Sequence, residues 1–238
     1  MKIKYFEDYE QMSDFAAGRV AGEINKTGGK FVLGLPTGSS PLGMYKMLAA
    51  MNRDGGIDFS KVTTFNLDEY YPIKRDDEQS YYKFMFDNFF GKININPENI
   101  NIPNGEAADP ELECKEYEKK IESAGGIDLM VIGIGPNGHI GFNEPDEFLI
   151  PDTHVAVLTE ETKEANKRFF NSIDDVPVKA LTMGMGSILK AKKILMLVSG
   201  ESKKEIFKKL LEGRIETGNP ASFLYLHKDV TVLADIKI

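Results

Sequence analysis

A chain of 238 residues with 42% hydrophobic content is long enough to bury the core of one α/β domain, and its formal net charge of -8, from 37 acidic and 29 basic residues, opposes nonspecific binding to nucleic acid or an anionic membrane. The single cysteine, Cys114, excludes an internal disulfide and fits a reducing, cytoplasmic setting; no apolar run reaches membrane-spanning length, and Met1 to Glu10 does not read as a leader. His139, His154, His227 and Cys114 have no spacing that suits zinc or iron, so no metal is expected.

Lys2 to Phe6 alternates as a short strand, and Tyr9 to Lys26 carries apolar residues at helical spacing until Thr27-Gly28-Gly29 ends it. The buried strand Phe31 to Leu35 runs into Pro36-Thr37-Gly38-Ser39-Ser40-Pro41, and Leu42, Tyr45, Met47 and Leu48 set a helix behind that loop. Proline suits a first helical turn, so the N–H groups and hydroxyls of Thr37, Gly38, Ser39 and Ser40 converge at a helix amino end, an anion site by geometry and dipole. A hydrophilic turn with a serine cap is the plainer account of the same residues. No lysine follows the glycine as a nucleoside triphosphate loop requires.

Lys61 to Leu67 is a third strand that delivers Asp68 at its carboxyl end, either a base or a turn cap. Ser80 to Phe90 reads as an aromatic-rich helix, Asn99 to Ile102 as a short strand and Pro110 to Ser123 as a charged helix. The strand Ile127 to Ile132 then opens into Gly133-Ile134-Gly135-Pro136-Asn137-Gly138-His139-Ile140-Gly141-Phe142-Asn143-Glu144-Pro145. Gly133, Gly135 and Gly138 spell G-x-G-x-x-G, but a dinucleotide site needs a helix beginning inside the motif, and the glycines and prolines that follow forbid one. His139 and Glu144 instead leave the loop as a titratable pair at the strand end where open α/β sheets hold ligands.

Val155 to Thr159 is a weak strand and Glu161 to Phe170 a helix carrying Arg168. Pro151 and Pro177 bracket a segment, roughly 151–180, expected to act as a lid. Strands at Lys179 to Met183 and Lys193 to Ser199 follow, the first leading into a short helix to Ala191. A helix from Gly200 to Leu211 places Lys203 in its first turn, where a cation needs an anion nearby. A short helix, Pro220 to Leu226, and a closing strand, Val230 to Ala234, complete the chain. The alternation predicts a doubly wound, mostly parallel sheet with helices on both faces, a Rossmann-like single domain over 1–238.

Leu35 to Pro41, Thr64 to Tyr70, Gly138 to Pro145 and Asn166 to Phe170 closely resemble the motifs of the glucosamine-6-phosphate deaminase family, and the resemblance extends from near the amino terminus to about Leu226. It implies aldose–ketose isomerisation and deamination of glucosamine 6-phosphate to fructose 6-phosphate and ammonia, without a cofactor. Carried over by position, Asp68 resembles the base that moves a proton from C2 to C1, and His139 the group that opens the pyranose ring, with Glu144 and Asn137 orienting it. Thr37, Gly38, Ser39, Ser40, Arg168 and Lys203 match the phosphate pocket, and Tyr81 and Phe170 match positions that close over the site. Many relatives carry aspartate where this chain has Asn137; asparagine holds the ring by a hydrogen bond but stabilises imidazolium less. Allosteric hexameric members bind an acetylated amino-sugar phosphate through basic residues after the Asn-Glu-Pro turn. Thr153 to Val157 has no lysine or arginine, and the carboxyl-terminal extension of those members is missing, so activity without that effector is expected; the oligomeric state stays open, with a monomer favoured over a hexamer. The expected partner is a phosphorylated amino sugar, with no nucleic acid and no membrane.

Two other functions fit parts of the pattern. A phosphogluconolactonase-type hydrolase shares the architecture and a similar glycine–histidine loop, but needs no proton shuttle between carbons, so Asp68 favours the isomerising deaminase. A noncatalytic sugar-phosphate sensor should lack His139 or Asp68 and carry a DNA-binding segment.

Overall fold

The computed structural model describes residues 1–28, 30–159, 172 and 176–238. Alternation within each strand decides which face of the sheet a helix can cover. In β2 (Phe31–Leu35), Phe31, Leu33 and Leu35 point to one face and Val32 to the other; in β6 (Leu129–Gly133), Leu129 and Val131 join the first face, Met130 and Ile132 the second. The first face is covered by α1 (Tyr9–Lys26), α2 (Leu42–Arg53) and α3 (Tyr81–Asn88), through side chains such as Val20, Leu48 and Met85. The second is covered by α4 (Pro110–Ser123), α5 (Met185–Leu189) and α6 (Lys204–Leu211), through Ile121, Ile188 and Phe207. Strands buried on both sides are what a parallel sheet requires.

Seven parallel strands build this sheet: β2 and β6 with β1 (Lys2–Tyr5), β3 (Val62–Asn66), β5 (Ile100–Asn101), β9 (Ile194–Val198) and β10 (Val230–Ala234). Their order is β1-β10-β9-β6-β2-β3-β5. From β2 the chain steps outward through β3 to β5; from β6 it steps the opposite way through β9 to β10. The reversal falls between β2 and β6, where the loops leaving adjacent carboxyl ends part to opposite faces and open a crevice.

Capping follows the sequence closely. The Asp8 carboxylate accepts from the Gln11 N–H at the start of α1, Ser80 Oγ from Lys83 at the start of α3, and Asp109 from Glu111 and Leu112 at the start of α4, where Pro110 needs no partner. Two ends differ from expectation. Pro41 stands just before α2 rather than in its first turn, and the helix expected from Gly200 begins as a 3-10 turn, Glu201–Lys203, that passes into α6.

The larger difference is a second sheet. Asp68–Tyr71, which the sequence alone places only at the carboxyl end of the third strand, forms β4, which pairs antiparallel with β8 (Lys179–Thr182), itself paired with β7 (His154–Val157). The sequence Asp-Glu-Tyr-Tyr has no apolar alternation of its own, so only its distant partner makes it a strand. Of the segment expected as a lid, β7 and the start of β8 belong to this small sheet, whereas Glu161 to Phe170, with Arg168 and Phe170, lies outside the described residues.

Gly34, in the middle of β2, faces Met130 of β6, and a Cβ there would lie 2.3 Å from Met130 Sδ and 3.3 Å from its Cα. Gly34→Val should therefore destabilise the fold by about 1–3 kcal/mol, read as a lowered urea midpoint with unchanged slope. A midpoint equal to wild type would show that the two central strands have slack between them.

Candidate active site

Three segments, two loops and the start of a strand, meet on the carboxyl rim of the sheet. The first, residues 36–41, leaves β2. Gly38 has φ +92°, a conformation open to glycine, and α2 has no side-chain cap, so the serine hydroxyls are not consumed as a cap. The loop is instead tied from beneath. The Tyr9 hydroxyl donates to the Ser39 and Ser40 carbonyls at 2.9 and 3.1 Å and accepts the Gly43 N–H at 2.8 Å, and the Tyr45 hydroxyl donates to the Pro36 carbonyl. Among the described residues, no acceptor meets the backbone N–H groups of Gly38, Ser39 or Ser40. Thr37, Gly38, Ser39 and Ser40 thus leave donors unspent at the start of α2.

The second element is the start of β4. Asp68 and Glu69 are both buried but, as neighbours in a strand, face opposite ways. Glu69 accepts three backbone N–H groups, from Tyr70, Tyr81 and Tyr82 at 2.8–2.9 Å, and so caps the first turn of α3. Burial pushes Glu69 up to about 7 while those bonds pull it down. Its place is structural. Asp68 faces Gly141, whose Cβ, if present, would lie 3.2 Å from Asp68 Oδ2. Burial, with a smaller contribution from the Glu69 charge, pushes the Asp68 carboxyl up to about 8. A carboxyl at that level is a proton acceptor strong enough to act on carbon acids, once ionised.

The third element is the loop after β6. Residues 134–153 contain no helix, which removes the dinucleotide reading of the glycine motif. Asn137 Nδ2 donates to Glu144 Oε2 at 2.7 Å, so Asn137 Oδ1 faces His139 and accepts both its backbone N–H at 3.2 Å and Nδ1 at 2.7 Å. A carbonyl oxygen only accepts; Nδ1 therefore holds the proton and Nε2 keeps the lone pair. Glu144 Oε2 also lies 3.4 Å from Nδ1, close enough to stabilise the imidazolium once Nε2 takes a proton. The ring lies flat over the loop because of Gly135, where a Cβ would meet the imidazole at 2.1 Å.

The remaining expected residues are distributed unevenly. Tyr81 stacks on Phe142 at 6.1 Å with rings nearly parallel, and its hydroxyl engages that of Tyr70, at the edge of the Asp68 pocket. Lys203 ends the 3-10 turn after β9, on the same rim. Arg168 and Phe170 lie outside the described residues. His227 is a structural histidine, with Nε2 2.7 Å from the Ala191 carbonyl, and His154 bonds the Asp152 carbonyl beside it. Burial pushes the Cys114 thiol up to about 12, which leaves it inert. Three residues escaped sequence reasoning. Gly135 and Gly141 count only through what their missing side chains would strike, and Thr182 reaches the site through the antiparallel pairing Asp68–Thr182.

The family model described as glucosamine-6-phosphate isomerases/6-phosphogluconolactonase matches residues 7–233. A glucosamine-6-phosphate deaminase of Thermoanaerobacter pseudethanolicus is 57% identical over 235 residues, 99% of this chain and 92% of that protein. One of Clostridium beijerinckii is 52% identical, over 99% of this chain and 97% of its own. A solved monomeric glucosamine-6-phosphate deaminase is 48% identical and superimposes with a TM-score of 0.95, covering 98% of this chain and 97% of that one. A 6-phosphogluconolactonase of Thermotoga maritima, 21% identical with a TM-score of 0.76 over 98% of both chains, shares the fold.

The raised Asp68 level carries a stability consequence. Below about pH 4 the group is protonated in both folded and unfolded chains; between about 4 and 8 only the unfolded chain ionises, so the folded state binds the extra proton and loses about 1.4 kcal/mol of stability per pH unit. Above pH 8 the loss is complete. Asp68→Asn removes this titration, so its stability relative to wild type should rise from pH 5 to pH 8, as measured by urea unfolding. A constant difference across that range would mean that Asp68 is ionised in the folded protein throughout.

Proposed function

The chain belongs to the family of glucosamine-6-phosphate isomerases and 6-phosphogluconolactonases, and we propose that within it this chain deaminates glucosamine 6-phosphate, yielding fructose 6-phosphate and ammonia from the sugar and water. The observation that carries the reading is the pair of separate acid/base centres on one rim: a buried carboxyl, Asp68, and an imidazole whose Nε2 is left basic by the Asn137–Glu144 chain. Lactone hydrolysis needs a single activated water; moving a proton between adjacent carbons needs a second base.

The phosphate sits on the N–H groups of the residues 37–40 loop, with Lys203 and Arg168 as its cations, since a chain of net charge -8 must supply local positive groups. His139 Nε2 takes the proton of the C1 hydroxyl and returns it to the ring oxygen as that C–O bond breaks, giving the open aldehyde. Glu144 stabilises the transient imidazolium through Asn137 and directly. Asp68, ionised, removes the C2 proton; the electron pair forms C1=C2 and the carbonyl oxygen is protonated. The same carboxyl returns a proton to C1, leaving an iminium at C2. Water adds at C2 and ammonia leaves, which gives the ketose. Tyr81, stacked on Phe142, borders the reacting sugar. The chain works as a monomer, a reading supported by the likeness to the solved monomeric deaminase, and in the cytoplasm, where a single unpaired cysteine fits the reducing setting.

Purified protein should release ammonia and fructose 6-phosphate in equal amounts. Asp68→Asn should slow exchange of the C2 hydrogen with deuterated solvent by about 10² to 10⁴. Exchange at the wild-type rate would remove Asp68 as the base.

Because Thr153 to Val157 bears no lysine or arginine, the substrate curve should be hyperbolic and unaffected by N-acetylglucosamine 6-phosphate. A sigmoidal curve straightened by that compound would sink this expectation, and sedimentation as a hexamer would sink the monomer.

A further inference from the structure

The base named above has no hydrogen-bond donor on it among the described residues, yet one stands beside it. Asp68 and Thr182 are directly opposed across the β4–β8 ladder, and a Cβ built on Gly141 would lie 3.2 Å from Asp68 Oδ2 and 2.8 Å from Thr182 Oγ1, so both oxygens border the same small space. Thr182 is fully buried. Its hydroxyl oxygen accepts the Phe142 N–H at 3.1 Å, which ties the histidine loop to this strand, while its proton reaches only the Met183 carbonyl, at 3.4 Å. That carbonyl already accepts from Asn143 Nδ2 at 2.8 Å. The ionisable groups around Asp68 are committed, whereas the buried Asn66 amide, two residues before it, has no hydrogen-bond partner among the described residues. Glu69 is bound to the start of α3, the Tyr45 hydroxyl to the Pro36 carbonyl and the Tyr117 hydroxyl to the Asn66 and Asn101 carbonyls, and Tyr70 and Tyr81 are engaged with each other.

We propose that Thr182 is a positioning residue for the base: its hydroxyl turns from the Met183 carbonyl to the Asp68 carboxylate and holds that group toward the gap beside Gly141. The proposal rests on the reading of Asp68 as the base. It makes Thr182 a joint between the two acid/base centres, since one hydroxyl would accept from the His139 loop and donate to the carboxylate.

The test compares wild type with Thr182→Val, which keeps the volume, Thr182→Ser, which keeps the hydroxyl, and Thr182→Cys, a weaker donor. In ligand-free protein labelled with ¹³C aspartate, with Asp68→Asn identifying the signal, Thr182→Val should raise the titration of Asp68 by about one pH unit, corresponding to about a tenfold weaker carboxylate. Thr182→Ser should titrate as wild type, and Thr182→Cys between the two. Should Thr182→Val not fold, the serine–cysteine pair makes the same comparison. For ammonia release from glucosamine 6-phosphate at neutral pH, kcat should fall about tenfold in Thr182→Val with KM little changed. Identical titrations in all variants, or a serine variant shifted as far as valine, would overturn the proposal. A wild type that releases no ammonia would instead overturn the functional reading, and the titration would still report on Thr182.

Discussion

The pairing of β2 with β6 is the contact on which the site depends. Only two register pairs join them, Leu33 with Leu129 and Gly34 with Met130, and the glycine lets the methionine lie across the strand. Because strand order reverses at this seam, the serine loop and the histidine loop rise side by side from neighbouring carboxyl ends, and the crevice between them follows from topology alone. Apolar cores on both faces hold the two strands rigid, so loops with little regular structure start from fixed points. Asp68 enters one strand further out, past β3, where the chain leaves the parallel sheet for the small antiparallel one.

That departure sorts two adjacent acids into different work. Glu69 turns toward α3 and takes three backbone N–H groups, a setting that favours its charge and anchors the helix. Asp68 turns toward Gly141 with no such bonds, so desolvation dominates and its proton is held. The same burial that makes Asp68 a strong base opposes its ionisation in the folded chain, a local conflict of the kind that functional sites tolerate because the surrounding sheet is stable enough to absorb it. The stacked rings of Tyr81 and Phe142 belong to the apolar cluster that walls this pocket.

What could be read from sequence follows from how local each signal is. The parallel strands carry their own apolar runs and the helices their own period, so Phe31 to Leu35, the strand expected over Ile127 to Ile132 and the helix Pro110 to Ser123 needed nothing else. The histidine loop was legible because glycine, histidine and acid are contiguous. β4 was not, because its strand character comes from β8, over a hundred residues along the chain. Thr182 was hidden for the same reason, lying in an ordinary apolar strand whose register with Asp68 only the fold supplies. Gly135 was visible as a glycine but not as the residue on which the imidazole rests.

Asn137 is best understood by asking what an aspartate, expected here from the resemblance to the deaminase family, would do in its place. The position lies between Glu144 Oε2 and His139 Nδ1, 2.7 Å from each. A carboxylate there would set two anionic oxygens against each other on the glutamate side, and the pair would have to share a proton or move apart. The amide avoids the conflict because its two ends differ: the NH₂ group satisfies the glutamate and the carbonyl satisfies the imidazole. Both outer groups are then fixed by hydrogen bonds to an uncharged amide, while the Glu144 carboxylate still lies 3.4 Å from Nδ1. The histidine is thus held in one tautomer without a second carboxylate between it and Glu144.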